Sequence, residues 1–187
     1  MKSPTDFIVR AVNGKRYNNT KEIAGLEIII NTSEENHKAS NREAEVVETP
    51  IGYNGPIKKG DTLLVHHNVF KFYNDMRGRR KSGKSFFKDD LFFIDDLQFY
   101  MYKNKDGWNS VGKYCFIEPT SVKDSYLYKG IKEEPLHGVV KYSNSQLKSI
   151  GIDTGCEVVF EPESEYEFTV DGEKLFRMFT NNIVAVL

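Results

Sequence analysis

Short apolar segments separated by turn residues recur along the chain, and that spacing constrains it to an antiparallel β-fold. In the second half, HGVVKYS (137–143), GCEVVFEP (155–162), EYEFTV (165–170), KLFRMF (174–179) and NIVAVL (182–187) each fit one strand. Between two of them stands Asp171-Gly172, whose tolerance of positive φ predicts a two-residue hairpin turn. An aromatic fraction of 13% with little alanine favours sheet over helix. Many short strands at close spacing predict a barrel or a sandwich.

The first half repeats this order. Ala44-Glu45-Val46-Val47 aligns with His137-Gly138-Val139-Val140, and IKKGDTLLV (57–65) aligns with IDTGCEVVF (152–160). Residues 91–94 align with 175–178, and 95–101 with 181–187. The offset is 95 at Gly60 and Gly155 but 84 at Leu91 and Leu175, because the first copy carries an extra basic segment at about 75–85. A duplication of this kind predicts an all-β chain of two tandem small antiparallel barrels, 1–104 and 105–187. The polar stretch KNKDGWNS (103–110) is the expected linker, with Trp108 packed between the barrels.

The chain of 187 residues can bury one large core or two small ones. With 26 basic and 27 acidic side chains it lacks the cationic excess of a sequence-independent nucleic-acid binder. No apolar run approaches the roughly 20 residues of a spanning helix, and MKSPTDFIV holds no signal-peptide core. A soluble intracellular protein with neither nucleic-acid nor membrane partner is expected. Cys115 and Cys156 are too far apart for a paired-cysteine metal motif and are expected to be structural thiols.

Between a good first strand (7–12) and Ala44 lies a long polar stretch, about 14–43, whose composition cannot bury enough apolar surface to offset ordering entropy. One aliphatic island, IAGLEIII (23–30), interrupts it. Such a patch either tucks onto its own domain or waits for a partner. The second copy favours the partner: TSVKDSYLYKGIKEEPLH (120–137) is about 12 residues shorter and carries no aliphatic run, so the island is not needed to complete the fold.

Gly78-Arg79-Arg80-Lys81-Ser82-Gly83-Lys84-Ser85 matches the phosphate-loop pattern, but a genuine one needs a buried strand before it and a helix after it. Here a solvated basic hairpin tip is expected, with a local anionic contact left open for 77–84. Asp89-Asp90 and Asp95-Asp96 read as strand-end and turn positions. His66-His67 would point to opposite faces of a strand and could not chelate one ion, while His37 and His137 lack a ligand partner at useful spacing. No Ser/His/Asp or Cys/His arrangement suggests catalysis, so neither enzyme activity, metal nor cofactor is expected.

The order of first strand, loop, EVV, IKKGD-T-LLV, hairpin and closing aliphatic strand resembles the GroES family of co-chaperonins. HGVVKYS, GIDTGCEVVF and VDGEKLFRMFTNNIVAVL carry the likeness in the second half; GLEIIIN and KASNREAEVV resemble the family's mobile loop and its return in the first. ETPIGYNGPIKKG after Val47 is too short for the family's roof hairpin, and Gly60-Asp61 becomes Gly155-Cys156 in the second copy. Divergence, a missing roof and the loss of one loop together resemble a virus-encoded, bacteriophage-type member.

The resemblance implies a homo-oligomeric ring that acts in the cytoplasm, the host's if viral. It would cap a GroEL-type chaperonin cylinder over non-native client proteins. ATP or ADP would be bound by that partner, not by this chain. Gly25 would give the turn that presents Leu26, Ile28, Ile29 and Ile30 to an apolar groove on the chaperonin. Phe7, Ile8 and Val9 at one end, with Ile183, Val184 and Val186 at the other, are expected at strand edges that pair with neighbouring subunits. The alternative from another class is the same barrel reused as a structural or virion-assembly module without a chaperonin partner.

Overall fold

The computed structural model describes residues 1–18, 20–23, 26–29, 39–121 and 133–187. It divides into two compact units, Met1–Gly107 and Trp108–Leu187. The first holds β1 (Phe7–Ala11), β2 (Thr20–Ile23), β3 (Leu26–Ile29), β4 (Glu43–Glu48), β5 (Thr62–Val65), β6 (Phe72–Asn74), β7 (Arg80–Ser82), β8 (Phe86–Lys88), β9 (Leu91–Ile94) and β10 (Phe99–Asn104). After β11 (Gly107–Ser110) come β12 (Tyr114–Ser121), β13 (Glu133–Tyr142), the short helix α1 (Ser145–Ser149), β14 (Glu157–Phe160), β15 (Tyr166–Val170), β16 (Glu173–Phe179) and β17 (Ile183–Val186). The fold is all-β, and its paired strands run antiparallel.

One sheet runs β11-β10-β5-β4-β1-β9-β8, the other β15-β16-β12-β13-β14-β17. Read from β10 and from β17 inward, six strands follow in the same order: β10, β5, β4, β1, β9 and β8 against β17, β14, β13, β12, β16 and β15. The registers agree as well. Val9 pairs with Val46 and Phe92 as Ile117 pairs with Val140 and Phe176. The register slips at Ile8/Val9 against β4 and at Phe116/Ile117 against β13 fall at matching places. Such bulges bend a strand and raise its twist, so both sheets curve at the same point.

Each unit also carries the same backbone clasp. Gly60 N–H donates to Val46 O at 2.8 Å and Val46 N–H to Asp61 O at 2.9 Å; Gly155, Val140 and Cys156 repeat both bonds at 2.8 and 2.9 Å. Gly60 and Gly155 adopt φ of 89° and 93°, a region that costs an L side chain strain. Val46 therefore corresponds to Val140, one residue on from the sequence alignment, and Phe99 and Met101 correspond to Ile183 and Ala185, two residues back from it. Short segments slide against each other in an alignment because apolar residues alternate; hydrogen bonds fix the register.

Neither sheet closes on itself, so the expected barrels are open arrays. Strand patterning records which face is buried but not whether two edges meet, which is why closure was not legible. The expected edge at Phe7, Ile8 and Val9 is corrected: β1 lies between β4 and β9 with these side chains buried. β17 is at a sheet edge, paired only with β14, and Val184 is 64% exposed. The boundary between the units falls inside the expected linker, after Gly107, though the stretch carries strand structure: residues 103 and 104 end β10, Asn104 Oδ1 accepts the Asp106 N–H at 2.9 Å in the turn, and β11 follows. Trp108 is buried, its Nε1–H donating to Asp171 Oδ2 at 3.0 Å.

Each unit has its own core. Cys115, Ile117, Val140, Leu147, Val158, Phe160 and Met178 form the second. Leu147 comes from α1, which the sequence reading passed over; Asn144 caps it by accepting the Leu147 N–H at 2.8 Å, and its amide donates to Tyr114 O and Thr180 Oγ1. Asp171 and Gly172 form the expected two-residue turn, with φ of 49° and 85°.

Two outcomes test this packing. A Cβ at Gly138 would stand 2.4 Å from Ile117 Cγ2 and 2.7 Å from Glu118 O, so Gly138→Ala should lower unfolding free energy by about 1–3 kcal/mol in urea titration. Burial pushes the Cys115 thiol up to about 12, with Arg177 pulling the other way. Alkylation of native protein at about pH 8 should therefore label half-buried Cys156 and leave Cys115 unmodified until the chain unfolds, as read by peptide mass spectrometry.

Candidate partner-docking site

The chain leaves β1 through a reversal at Asn13 and Gly14, both at positive φ of 60° and 66°. It then runs antiparallel to its own return. Tyr17 bridges Ser40, Asn18 N–H donates to Ala39 O at 2.7 Å, and Asn41 N–H donates to Arg16 O at 2.9 Å. Buried Asn41 locks this neck: its Nδ2 donates to Val12 O at 3.1 Å and Lys15 O at 2.7 Å, while Oδ1 accepts the Glu43 N–H at 2.9 Å.

Aromatic packing fastens the neck from one side. The Tyr17 ring stacks on Phe72 with centroids 6.2 Å apart, and its hydroxyl accepts the Phe72 N–H at 2.9 Å. The Arg16 guanidinium lies 4.2, 4.8 and 4.9 Å from the Phe72, Phe92 and Phe86 rings, and donates to Ser82 Oγ at 2.9 Å. Burial lowers the pKa of Arg16 from its ordinary value, the cost of placing a cation among rings that attract it in return.

Above the neck, β2 and β3 form a two-stranded sheet of their own, pairing Thr20 with Ile29, Lys21 with Ile28, Glu22 with Glu27 and Ile23 with Leu26. The sequence reading expected no strand here; β-branched residues at 28 and 29 opposite 20 and 21 supply the propensity it underweighted. Of the expected docking residues, Leu26 is 69% exposed. Gly25 and Ile30 lie outside the described residues. Strand alternation puts positions 26 and 28 on one face of the ladder and 29 on the other. The second unit has no counterpart among its described residues: β12 and β13 stay paired out to Ser121 and Glu133.

The other sequence motifs fall into structural roles. In the phosphate-loop pattern, Arg80–Ser82 is strand β7, Gly83 N–H donates to Lys71 O at 3.0 Å, and buried Ser85 accepts from Gln98 Nε2 at 3.0 Å ahead of strand β8 rather than a helix. Asp89 and Asp90 form the β8–β9 turn, and Asp95 Oδ1 accepts the Leu97 N–H at 2.9 Å. His66 and His67 lie beyond the end of β5, so strand alternation does not separate them; their rings are 4.1 Å apart. His66 Nδ1 accepts the Asn68 N–H at 3.2 Å. His37 lies outside the described residues, and His137 Nδ1 is 2.8 Å from Pro135 O. No group of three potential metal ligands occurs among the described residues, and none of their helices is long and apolar enough to cross a membrane.

Asn41→Ala should cost about 1–3 kcal/mol, since it leaves two carbonyls and one N–H without their partner. Hydrogen exchange at residues 12–18 should accelerate more than at β12–β13; equal protection in the variant would contradict the locking role. No protein-family model matches the chain, and the comparison with curated proteins returns no match.

Proposed function

We propose that the chain is a GroES-type co-chaperonin, a non-enzymatic lid that caps a GroEL-type chaperonin and assists folding of the enclosed protein. The observation that carries this reading is where the aliphatic segment sits. It occupies a separate hairpin on a fastened neck, with Leu26 exposed, in one of two units that otherwise repeat their strand order.

The energetics fit a weak contact made many times over. Burying one isoleucine is worth roughly 1.5–3 kcal/mol, whereas fixing each loop residue costs about 1–2 kcal/mol of backbone entropy. One loop docks poorly; a ring of loops raises the effective concentration of each after the first, giving firm capture that still releases when the partner changes state. In this reading the two open arrays are the family's barrels with their edges left unpaired, and β17, exposed along its outer edge, is where subunits join into the ring. The short 48–56 connection in place of a roof, and the single loop per two units, support a viral source and work in the host cytoplasm. Nucleotide is bound by the chaperonin.

The test is co-sedimentation or native mass spectrometry with a bacterial chaperonin, with and without ATP or ADP. Nucleotide-dependent capture is expected for the natural chain and loss of capture for Ile29→Asp, with an unchanged circular dichroism spectrum and melting temperature. Absence of capture where an authentic lid binds would overturn the reading.

A further inference from the structure

The connection between β5 and β8 in the first unit and that between β14 and β15 in the second occupy the same place in the strand order, yet carry opposite charge. The first is the β6–β7 hairpin, where Arg77, Arg79, Arg80, Lys81 and Lys84 accompany one acid, Asp75. That acid is engaged within the tip: its Oδ1 accepts the Arg77 and Arg79 N–H groups at 2.9 Å and its Oδ2 meets Lys81 Nζ at 3.4 Å. Those bonds hold its pKa below the ordinary aspartate value and the turn in one shape. Arg80 stacks on Phe72 at 3.9 Å, which ties the hairpin to the same aromatic cluster as the neck. Arg77, Arg79, Lys81 and Lys84 remain exposed, with Met76 fully exposed at the tip.

The second connection is Glu161-Pro162-Glu163-Ser164-Glu165, with no cation in it. It too is shaped: Ser164 Oγ donates to Glu161 O at 2.6 Å, Glu161 Oε2 accepts from Asn182 Nδ2 at 3.0 Å, and Glu163 stands exposed at a φ of 60°. In a chain whose net charge is only −1, two preformed tips of opposite sign at equivalent positions are mutually complementary surfaces.

We propose that the basic β6–β7 tip of one copy docks on the acidic β14–β15 tip of a second copy, joining copies head to tail. Because the two surfaces differ, the contact is heterologous: repeated, it closes into a ring or extends. The contact is read from self-association with no chaperonin present, so its failure and the failure of the co-chaperonin reading are distinguishable.

Sedimentation velocity and native mass spectrometry of the full chain test the proposal. At about 0.1 M salt the chain should assemble beyond the monomer, and at about 1 M, where screening length falls from about 10 to about 3 Å, it should dissociate. R77E/R79E and E163K/E165K should each weaken association at least about tenfold, and the chain with all four reversals should regain it, which separates lost complementarity from misfolding. The natural chain sedimenting as a monomer at low salt, or assembly indifferent to either reversal, would overturn the contact. So would a single-stranded oligonucleotide or a polyglutamate peptide that binds the basic tip and loses affinity in R77E/R79E while self-association stays unchanged.

Discussion

Both halves of the molecule depend on a pair of backbone hydrogen bonds made to one buried valine. Val46 in one unit and Val140 in the other donate to and accept from a turn whose glycine must take a positive φ. The clasp sets where β5 and β14 begin, and so which residues of each face inward. Leu63, Leu64 and Val65 on β5, with Val158 and Phe160 on β14, are all buried. A side chain at Gly60 or Gly155 would meet open space but would strain the backbone, so the constraint is conformational rather than steric. Asp61 and Cys156, which differ chemically, can stand at matching places because the turn uses their carbonyls.

The first unit adds two elaborations to this frame, and they share one foundation. Arg16 sits among Phe72, Phe86 and Phe92, so the neck of the aliphatic hairpin and the root of the basic hairpin are fastened by the same side chain. Ser82 and the Phe72 backbone extend that link by hydrogen bonds to Arg16 and Tyr17. The bases of the two hairpins thus share a handful of packed rings.

Much of the strand inventory was legible because it rests on local signals. Asp171-Gly172 specifies its turn, alternation marks β14 to β17, and the repeated Gly60 and Gly155 fix one anchor of the internal correspondence. What was not legible depends on partners distant in sequence. Nothing in 7–12 tells whether β1 is central or peripheral; that is decided by β4 and β9 arriving on its two sides. The stretch 103–110 does hold the boundary between the units, but its strand content was not legible, because polar residues suit an edge strand such as β11 as well as a linker. Arg16, Tyr17 and Asn41 were missed in the candidate site because their importance lies in long-range contacts; an asparagine two residues before a strand was the one available hint.

The alternation of the β2–β3 ladder carries a mechanical consequence. Positions 28 and 29 lie on opposite faces, so no single groove can receive both while the ladder stays intact. Under the co-chaperonin proposal, a groove that took both would have to part β3 from β2, and the cross-strand bonds would oppose the bound state. Under that proposal a stiffer hairpin would shorten the bound lifetime, and a looser one would prolong it.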